Sequence, residues 1–394
     1  MADTVNLSNG IVLLISWSAL ASAWWLTAFL LVAKGPPRWR SAGGSKLPTL
    51  SVFKPIPPVR DDAERAALAE AMESFIAQLD CNDELLTGVD LGAFPDWEGK
   101  FDQWRATWPE ARIVIIAQPN PSHLSNPKIA WMEVLAARAQ GELWLWSDAD
   151  VIAPPECLRM LKHALIDGGA GAITAAYAVR CVSKATGMLD ALFVNVELLP
   201  GALLLGRLGV KEFAYGAATM FRATTFRDRV QWADLGAQLA DDHELGRRLK
   251  PVDLAGALVS TFTLTGSWRE ALEHYYRWQK TVRWCRPGGF AAMILVIPLI
   301  GWAAACVIAP GSRTAWAGFA GQWLLEILVA AVLCSVLDCR LPPRTWGGLL
   351  LWPLVRMISW MGTWLPLRVF WGGRETAWSA PAKLAEGERR SESL

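Results

Sequence analysis

Apolar residues are distributed along the chain in two ways. Long uncharged runs stand near the two ends, and short apolar blocks alternate with polar segments through the middle. Residues 11–33 form an uncharged apolar run about 34 Å long as a helix, enough to cross a ~30 Å hydrocarbon layer. Residues 288–310 and 314–336 are each about one span long, separated by Gly311, Ser312 and Arg313, and predict a tight helical hairpin. Glu326 falls inside the second of these and is costly in lipid, so it is expected to face a protein neighbour or a polar cavity. A further apolar stretch, 349–370, is interrupted by Pro353, Arg356 and Pro366, and reads either as a span or as an interfacial helix. The polar tail from Pro381 is expected to be disordered.

The middle stretch, about 250 residues, reads as alternating strands and helices. Strands are predicted over 50–54, 85–89, 113–117 and 142–146, with helices over 61–79, 97–108 and 126–139. This alternation predicts βαβ units and a largely parallel sheet covered by helices. An amphipathic helix over 267–284 leads toward the C-terminal apolar runs. The division expected is an anchor over 1–34, a catalytic domain over 35–287, a membrane region over 288–372 and a tail over 373–394.

The first apolar run is set apart from a signal peptide by its charges. Only Asp3 precedes it, whereas Lys34, Arg38, Arg40 and Lys46 stand after it. The positive-inside rule then keeps the helix as an anchor, with the chain beyond it on the cytoplasmic side. Arg277, Lys280, Arg283 and Arg286 before the hairpin, and Arg340 and Arg344 after it, agree with that orientation. Composition supports a membrane protein: 53% hydrophobic, 19% charged, mean hydropathy +0.25, and 23 Trp against four Tyr. A net charge of +1 excludes a nucleic-acid binder working through bulk charge. The seven cysteines show no C-x-x-C pair and read as reduced, buried thiols.

In open α/β sheets, ligands bind at the carboxyl ends of strands. Two predicted strands end in acids, one at Asp90 and one at Asp148-Ala149-Asp150. Two carboxylates two positions apart at a strand end can share a divalent ion, and Mg²⁺ completes its shell with phosphate oxygens and water. Asp241-Asp242-His243-Glu244 opens a helix; its acids either complement the helix dipole or supply a general base. His274-Tyr275-Tyr276-Arg277-Trp278 is either a juxtamembrane aromatic-basic belt or a phosphate- and acceptor-binding group. The apolar segment 198–205 reads as an interfacial lip for a lipid or as a core helix.

Taken in order, Asp90, Asp148-Ala149-Asp150, Asp241-Asp242 and Arg277-Trp278 resemble the D, D, D, (Q/R)xxRW pattern of family-2-type inverting glycosyltransferases. Ser51-Val52-Phe53-Lys54-Pro55 and Asn126-Pro127-Lys128 resemble more narrowly the ceramide glucosyltransferases and related bacterial lipid and hopanoid glycosyltransferases. The resemblance implies a GT-A (Rossmann-like) α/β catalytic domain on the cytoplasmic side, between an N-terminal anchor and C-terminal transmembrane or interfacial helices. It implies a UDP-sugar donor and Mg²⁺ or Mn²⁺ as cofactor. Asp90 would contact uridine, Asp148 the nucleotide-sugar and, with Asp150, the metal, and Asp242 would be the base. Lys54 and Lys128 would be nucleotide-side contacts, and His274, Arg277 and Trp278 would meet the diphosphate and acceptor. His274 stands where that pattern has Gln or Arg, Asp241 stands where it has Glu, and the segment after Pro58 departs from the ceramide pattern. The expected reaction is inverting transfer of a sugar, glucose first, to a lipid hydroxyl, ceramide first, in a bacterial inner membrane or a Golgi membrane. Hopanoid or diacylglycerol acceptors, polyprenyl phosphate transfer, polysaccharide synthesis and a non-enzymatic transporter or scaffold rank below it.

Overall fold

The computed structural model describes residues 2–36, 47–94, 96–181, 185–263, 266–337, 339, 343–365, 369–371 and 374–376. Arg38, Arg40, Lys46, Arg340 and the tail from Pro381 lie outside them. The chain divides into a sheet unit, residues 36–181 and 205–264, and a helical unit, residues 1–35, 182–204 and 265–394.

The sheet unit holds seven strands: β1 Leu50–Phe53, β2 Glu84–Val89, β3 Arg112–Ala117, β4 Leu143–Ser147, β5 Ala172–Cys181, β6 Ala218–Arg222 and β7 Val252–Phe262. Their order is β3-β2-β1-β4-β6-β5-β7. All neighbours are parallel except β6, which runs antiparallel to β4 and β5. This is the mixed α/β sheet that the GT-A resemblance implies. Every residue of β1, β2 and β4 is buried, as expected where helices cover both faces. Side chains of period two therefore feed two cores. Leu50, Val52, Leu143 and Leu145 pack with Met72, Phe75, Trp97 and Trp104 on one face. Phe53, Trp144 and Trp146 pack with Ile129, Met132, Phe221 and Phe226 on the other.

Local signals explain the connections. Helix Asp62–Ile76 starts after Asp61, whose carboxylate accepts from Glu64 N at 2.8 Å. Helix Pro127–Ala136 starts after Asn126, whose side chain accepts from Lys128 N and Ile129 N, with Pro127 in its first turn. The chain runs outward through β1, β2 and β3, then returns to place β4 on the other side of β1. That reversal makes the carboxyl ends of β1 and β4 a topological switch point, the usual ligand position in such sheets.

In the helical unit, Asn9–Val32, Ala185–Arg207 and Arg313–Val336 are long and apolar enough to cross a membrane. The second extends well beyond the segment 198–205 singled out in the sequence. It is a continuous run of 3₁₀, α and π turns that buries 56% of its apolar window within the protein. The stretch 288–310, expected as one span, is two helices bent by 53°. Pro298 accounts for the break: it has no N–H, and Ile297 before it is extended (φ −98°, ψ 91°). The stretch 349–370 is resolved into a 17-residue helix, Trp346–Gly362, followed by short antiparallel strands Val369–Trp371 and Arg374–Thr376. Glu326 is buried against Arg356, 2.7 Å from its guanidinium. Cys157, Cys306, Cys334 and Cys339 are buried, as expected, but Cys81 is exposed.

Candidate active site

Two strand ends and one helix start carry the acids of the sheet unit. β4 ends at Ser147, and the loop Asp148-Ala149-Asp150 is closed by Val151 N donating to Asp148 O at 3.2 Å. Ile152 and Ser260 then exchange two backbone bonds, 2.7 and 3.0 Å, tying the loop to β7.

Lys54 pins this loop from beneath. Its fully buried ammonium donates to Asp148 O (2.7 Å), Val151 O (3.0 Å) and Ser147 Oγ (3.3 Å). An ammonium has three donors, so none remains for a nucleotide. The side chain expected at the nucleotide instead shapes the loop that carries both acids. Burial pushes its pKa down to about 7, against the opposing charges of Asp150 and Asp148.

Lys128 takes the bridging place. Its ammonium lies 2.7 Å from Asp148 Oδ1 and 3.2 Å from Asp241 Oδ2. Burial alone would lower it; Asp148 and Asp241 overcome that and hold it above its ordinary value. Asn126 adds to the bracket, its Nδ2 reaching Gln238 O at 3.2 Å and Asp241 Oδ1 at 3.4 Å.

Helix Asp241–Leu249 opens with three acids in different situations. Asp241 is paired with Lys128, and Glu244 is tied to Arg247 and Arg248 at 2.9 and 2.6 Å. Among the described residues, Asp242 has only backbone donors, Gly216 N at 3.0 Å and His243 N at 2.8 Å. Burial first, then the charge of Asp241, raises its pKa to about 6, with Lys128 opposing. A Cβ built on Gly216 would stand 3.3 Å from Asp242 Oδ2 and 3.6 Å from Asp148 Oδ2. The two carboxylates therefore converge on one glycine.

Asp150 is half-buried, with one oxygen held by the Thr261 hydroxyl. Burial and then Asp148 raise its pKa, while Thr261 and Lys54 oppose. Tyr177 of β5, which no motif marks, has its phenol pushed up by burial and then by Asp242, Asp148 and Asp150. Tyr215 is raised likewise by burial and Asp242. Two of only four tyrosines in a Trp-rich chain thus stand at the acids, and that scarcity was the available signal.

Asp90 lies on the same carboxyl edge, with β1 between its strand and β4. Its carboxylate accepts from Ala93 N at 3.2 Å, Asn120 N at 3.3 Å and Asn120 Nδ2 at 3.4 Å. Trp131 Nε1 donates to Asn120 Oδ1 at 3.0 Å, which turns the amide N–H toward Asp90. His274, Arg277 and Trp278 belong to the helical unit, on helix Trp268–Cys285, which Ser267 caps by accepting from Glu270 N.

Among the described residues, no three His, Cys, Asp or Glu side chains form a metal site by themselves. The acids fit a hard cation that arrives with phosphate. Lys128 occupies Asp148 Oδ1 and Thr261 occupies Asp150 Oδ2, leaving one oxygen on each. Mg²⁺ needs only one or two carboxylates beside phosphate and water.

The Asp242 helix sits tightly on the loop before β6. A Cβ on Gly246 would lie 2.3 Å from Ala214 N and 2.5 Å from Phe213 Cα, with only backbone to give way. Gly246→Ala is expected to destabilise the protein by about 1–3 kcal/mol, read by denaturant unfolding. Activity should fall with it, because the same loop carries Gly216.

The model of glycosyl transferase family 21 matches residues 12–380. No curated protein matches the chain. Among solved structures, the mannosyltransferase PcManGT from Pyrobaculum calidifontis, in complex with GDP-Man and Mn2+, is 16% identical with a TM-score of 0.44, covering 88% of this chain and 99% of that one. GalNAc-T7 with UDP, GalNAc and Mn2+ is 11% identical with a TM-score of 0.41, covering 59% of this chain and 48% of that one. S. aureus TarS 1-349 is 10% identical with a TM-score of 0.36, covering 84% and 97%.

Proposed function

The chain belongs to glycosyl transferase family 21, and from that premise we propose that it moves a sugar, glucose first, from a UDP-sugar to a lipid hydroxyl with inversion. The acceptor is a ceramide-like lipid presented at the cytoplasmic face of the membrane. The observation that carries this reading is Asp242. Among the described residues it is the one acid of its cluster held only by backbone N–H groups, and it faces the same glycine as Asp148.

Asp242 takes the proton from the lipid hydroxyl. That oxygen forms its bond to the anomeric carbon as the bond from that carbon to the β-phosphate oxygen breaks, and the electron pair leaves with UDP. Asp148 and Asp150 would hold Mg²⁺ or Mn²⁺ beside the donor diphosphate, and the ion would there supply positive charge against the leaving group. Lys128 holds Asp148 and Asp241 in place by its two ion pairs. Asp90, aimed by Asn120, meets the uracil. Arg277 and Trp278 serve the diphosphate and the acceptor, as their motif implies. An amphipathic acceptor keeps its tails in the bilayer, and a membrane-associated enzyme with helices such as Asn9–Val32 and Arg313–Val336 is placed to meet its head group.

The test uses membranes containing the full chain, radiolabelled UDP-glucose and liposomes carrying ceramide, diacylglycerol or a hopanoid lipid. The expected product is β-glucosylceramide, with its anomer assigned by NMR, and EDTA should abolish its formation until Mg²⁺ or Mn²⁺ is restored. Transfer only to diacylglycerol or the hopanoid would replace the acceptor. Absence of any lipid product from UDP-sugars would overturn the reading.

A further inference from the structure

The two acids that follow β4 do not offer four open oxygens. Lys128 Nζ lies 2.7 Å from Asp148 Oδ1, and the Thr261 hydroxyl donates to Asp150 Oδ2. One oxygen on each carboxylate is thus engaged by the chain itself, and all four residues belong to the sheet unit. The two engaging groups differ in kind. A hydroxyl is neutral, whereas the ammonium brings a full positive charge to a carboxylate that is expected to meet a divalent cation, and like charges repel.

Lys128 is held there by more than Asp148. Its second ion pair, 3.2 Å to Asp241 Oδ2, reaches the start of helix Asp241–Leu249. Asn126 Nδ2 steadies Asp241 at 3.4 Å, and the Asn126 side chain also caps the helix on which Lys128 stands. The ammonium is therefore set between two carboxylates by its own helix start. The pair is not sealed: the Lys128 side chain is 25% exposed and that of Asp148 is 39% exposed, so an ion arriving from solvent meets it. Ion pairs this open contribute modestly and yield to a stronger set of ligands.

A hard divalent cation on Asp148 and Asp150 alone would have two carboxylate oxygens, water for the rest of its shell and an ammonium beside it. Diphosphate oxygens change that balance, because they fill the shell that Lys128 keeps short. We propose that Lys128 is a built-in counter-ion that withholds Asp148 Oδ1 from the metal, so that the acids take up a divalent cation only together with a diphosphate. The inference rests on the proposed reading of Asp148 and Asp150 as the metal-binding acids of a nucleotide-sugar transferase. Cation and nucleotide then enter as one unit, and the acids do not collect ions when no donor is bound.

The full chain in lipid nanodiscs is titrated with MnCl₂, with and without UDP, and bound Mn²⁺ is read by electron paramagnetic resonance. UDP binding is followed by calorimetry. Wild type is compared with Lys128→Met and Lys128→Gln, and Tm is recorded for each. Wild type is expected to bind Mn²⁺ at least about 10-fold more tightly with UDP than without it. In both neutral variants, binding of Mn²⁺ alone should tighten by about 10-fold, because the competing cation is gone. The gain from UDP should shrink by a similar factor. Gln keeps a polar reach toward both carboxylates and Met does not, so a fold that needs a polar side chain at this position still leaves one variant to read.

Equal tightening with and without UDP would mean plain charge repulsion and overturn the proposal. So would unchanged or weaker Mn²⁺ binding in the variants, the sign of an ammonium that orients its carboxylate rather than competing for it. A large fall in Tm in both variants would make Lys128 a structural brace and overturn it too. If wild type binds Mn²⁺ as tightly without UDP as with it, this inference alone fails. If wild type binds UDP but never Mn²⁺, the reading of the acids as a metal site fails and takes this one with it.

Discussion

Asp242→Asn lowers lipid glycosylation by about 10²–10⁴-fold, the range a positioned general base supplies, while UDP-sugar binding survives. The amide keeps the shape of the side chain, but Gly216 N and His243 N meet different oxygens of Asp242, so its single carbonyl oxygen can accept from only one of them. Proton acceptance is lost together with one backbone hydrogen bond, so the variant's Tm is read beside its rate. The wild-type pH profile should carry the same signature. The group works only when ionised, and burial with Asp241 beside it raises its pKa to about 6. The rate therefore falls as pH drops through about 6 and levels off above it. In Asp242→Asn that acid limb should vanish along with most of the rate. Initial rates in liposomes across pH 4.5–8, with calorimetry of UDP-sugar binding, check both parts. Unchanged turnover would move the base to another residue.

Asp242 was legible because acids at a helix start leave a mark in sequence. The motif resemblance picks Asp242 out of Asp241, Asp242 and Glu244, but helical spacing alone could not, because availability depends on Lys128, Arg247 and Arg248 arriving in space. Lys54 shows the same limit more sharply. A lysine at a strand end reads as a ligand contact, yet here it turns inward to three acceptors supplied by residues more than ninety positions away. Strands β1 to β4 could be read from apolar blocks bounded by turn residues. Strands β5, β6 and β7 could not. β5 (AITAAYAVRC) is alanine-rich and weak in intrinsic strand preference, and it is held by pairing with β6 and β7. Tyr177 was missed with its strand. The pairing of Asp190 was hidden because its partner, His274, lies 84 residues away. The acid at a strand end is a local signal, and its surroundings are not.

The helical unit offers the second large effect. Arg356→Met is expected to destabilise the protein by about 3–5 kcal/mol, the cost of leaving a buried charge without its partner. Arg356 lies 2.7 Å from Glu326 Oε2, and its Nε is 4.0 Å from Glu197 Oε1. Gln322 donates to the other oxygen of Glu326 at 2.9 Å, and Ser22 donates to Gln322 at 2.8 Å. One guanidinium thus serves two carboxylates, and a chain of side chains joins helices Ala2–Val32, Arg313–Val336 and Trp346–Gly362 to the π turn Phe193–Leu198. Removing the guanidinium leaves two buried acids without their cation. Removing all three charges together should behave differently. A Glu197→Met/Glu326→Met/Arg356→Met protein loses the desolvation penalty along with the attraction, and is expected near wild-type stability or above it. Denaturant unfolding in detergent micelles, followed by tryptophan fluorescence, measures both. A neutral single variant would mean the ions are not coupled. A triple variant as weak as the single would mean that the polar side chains are needed for packing beyond their charges, and the helices would then depend on this network for their arrangement.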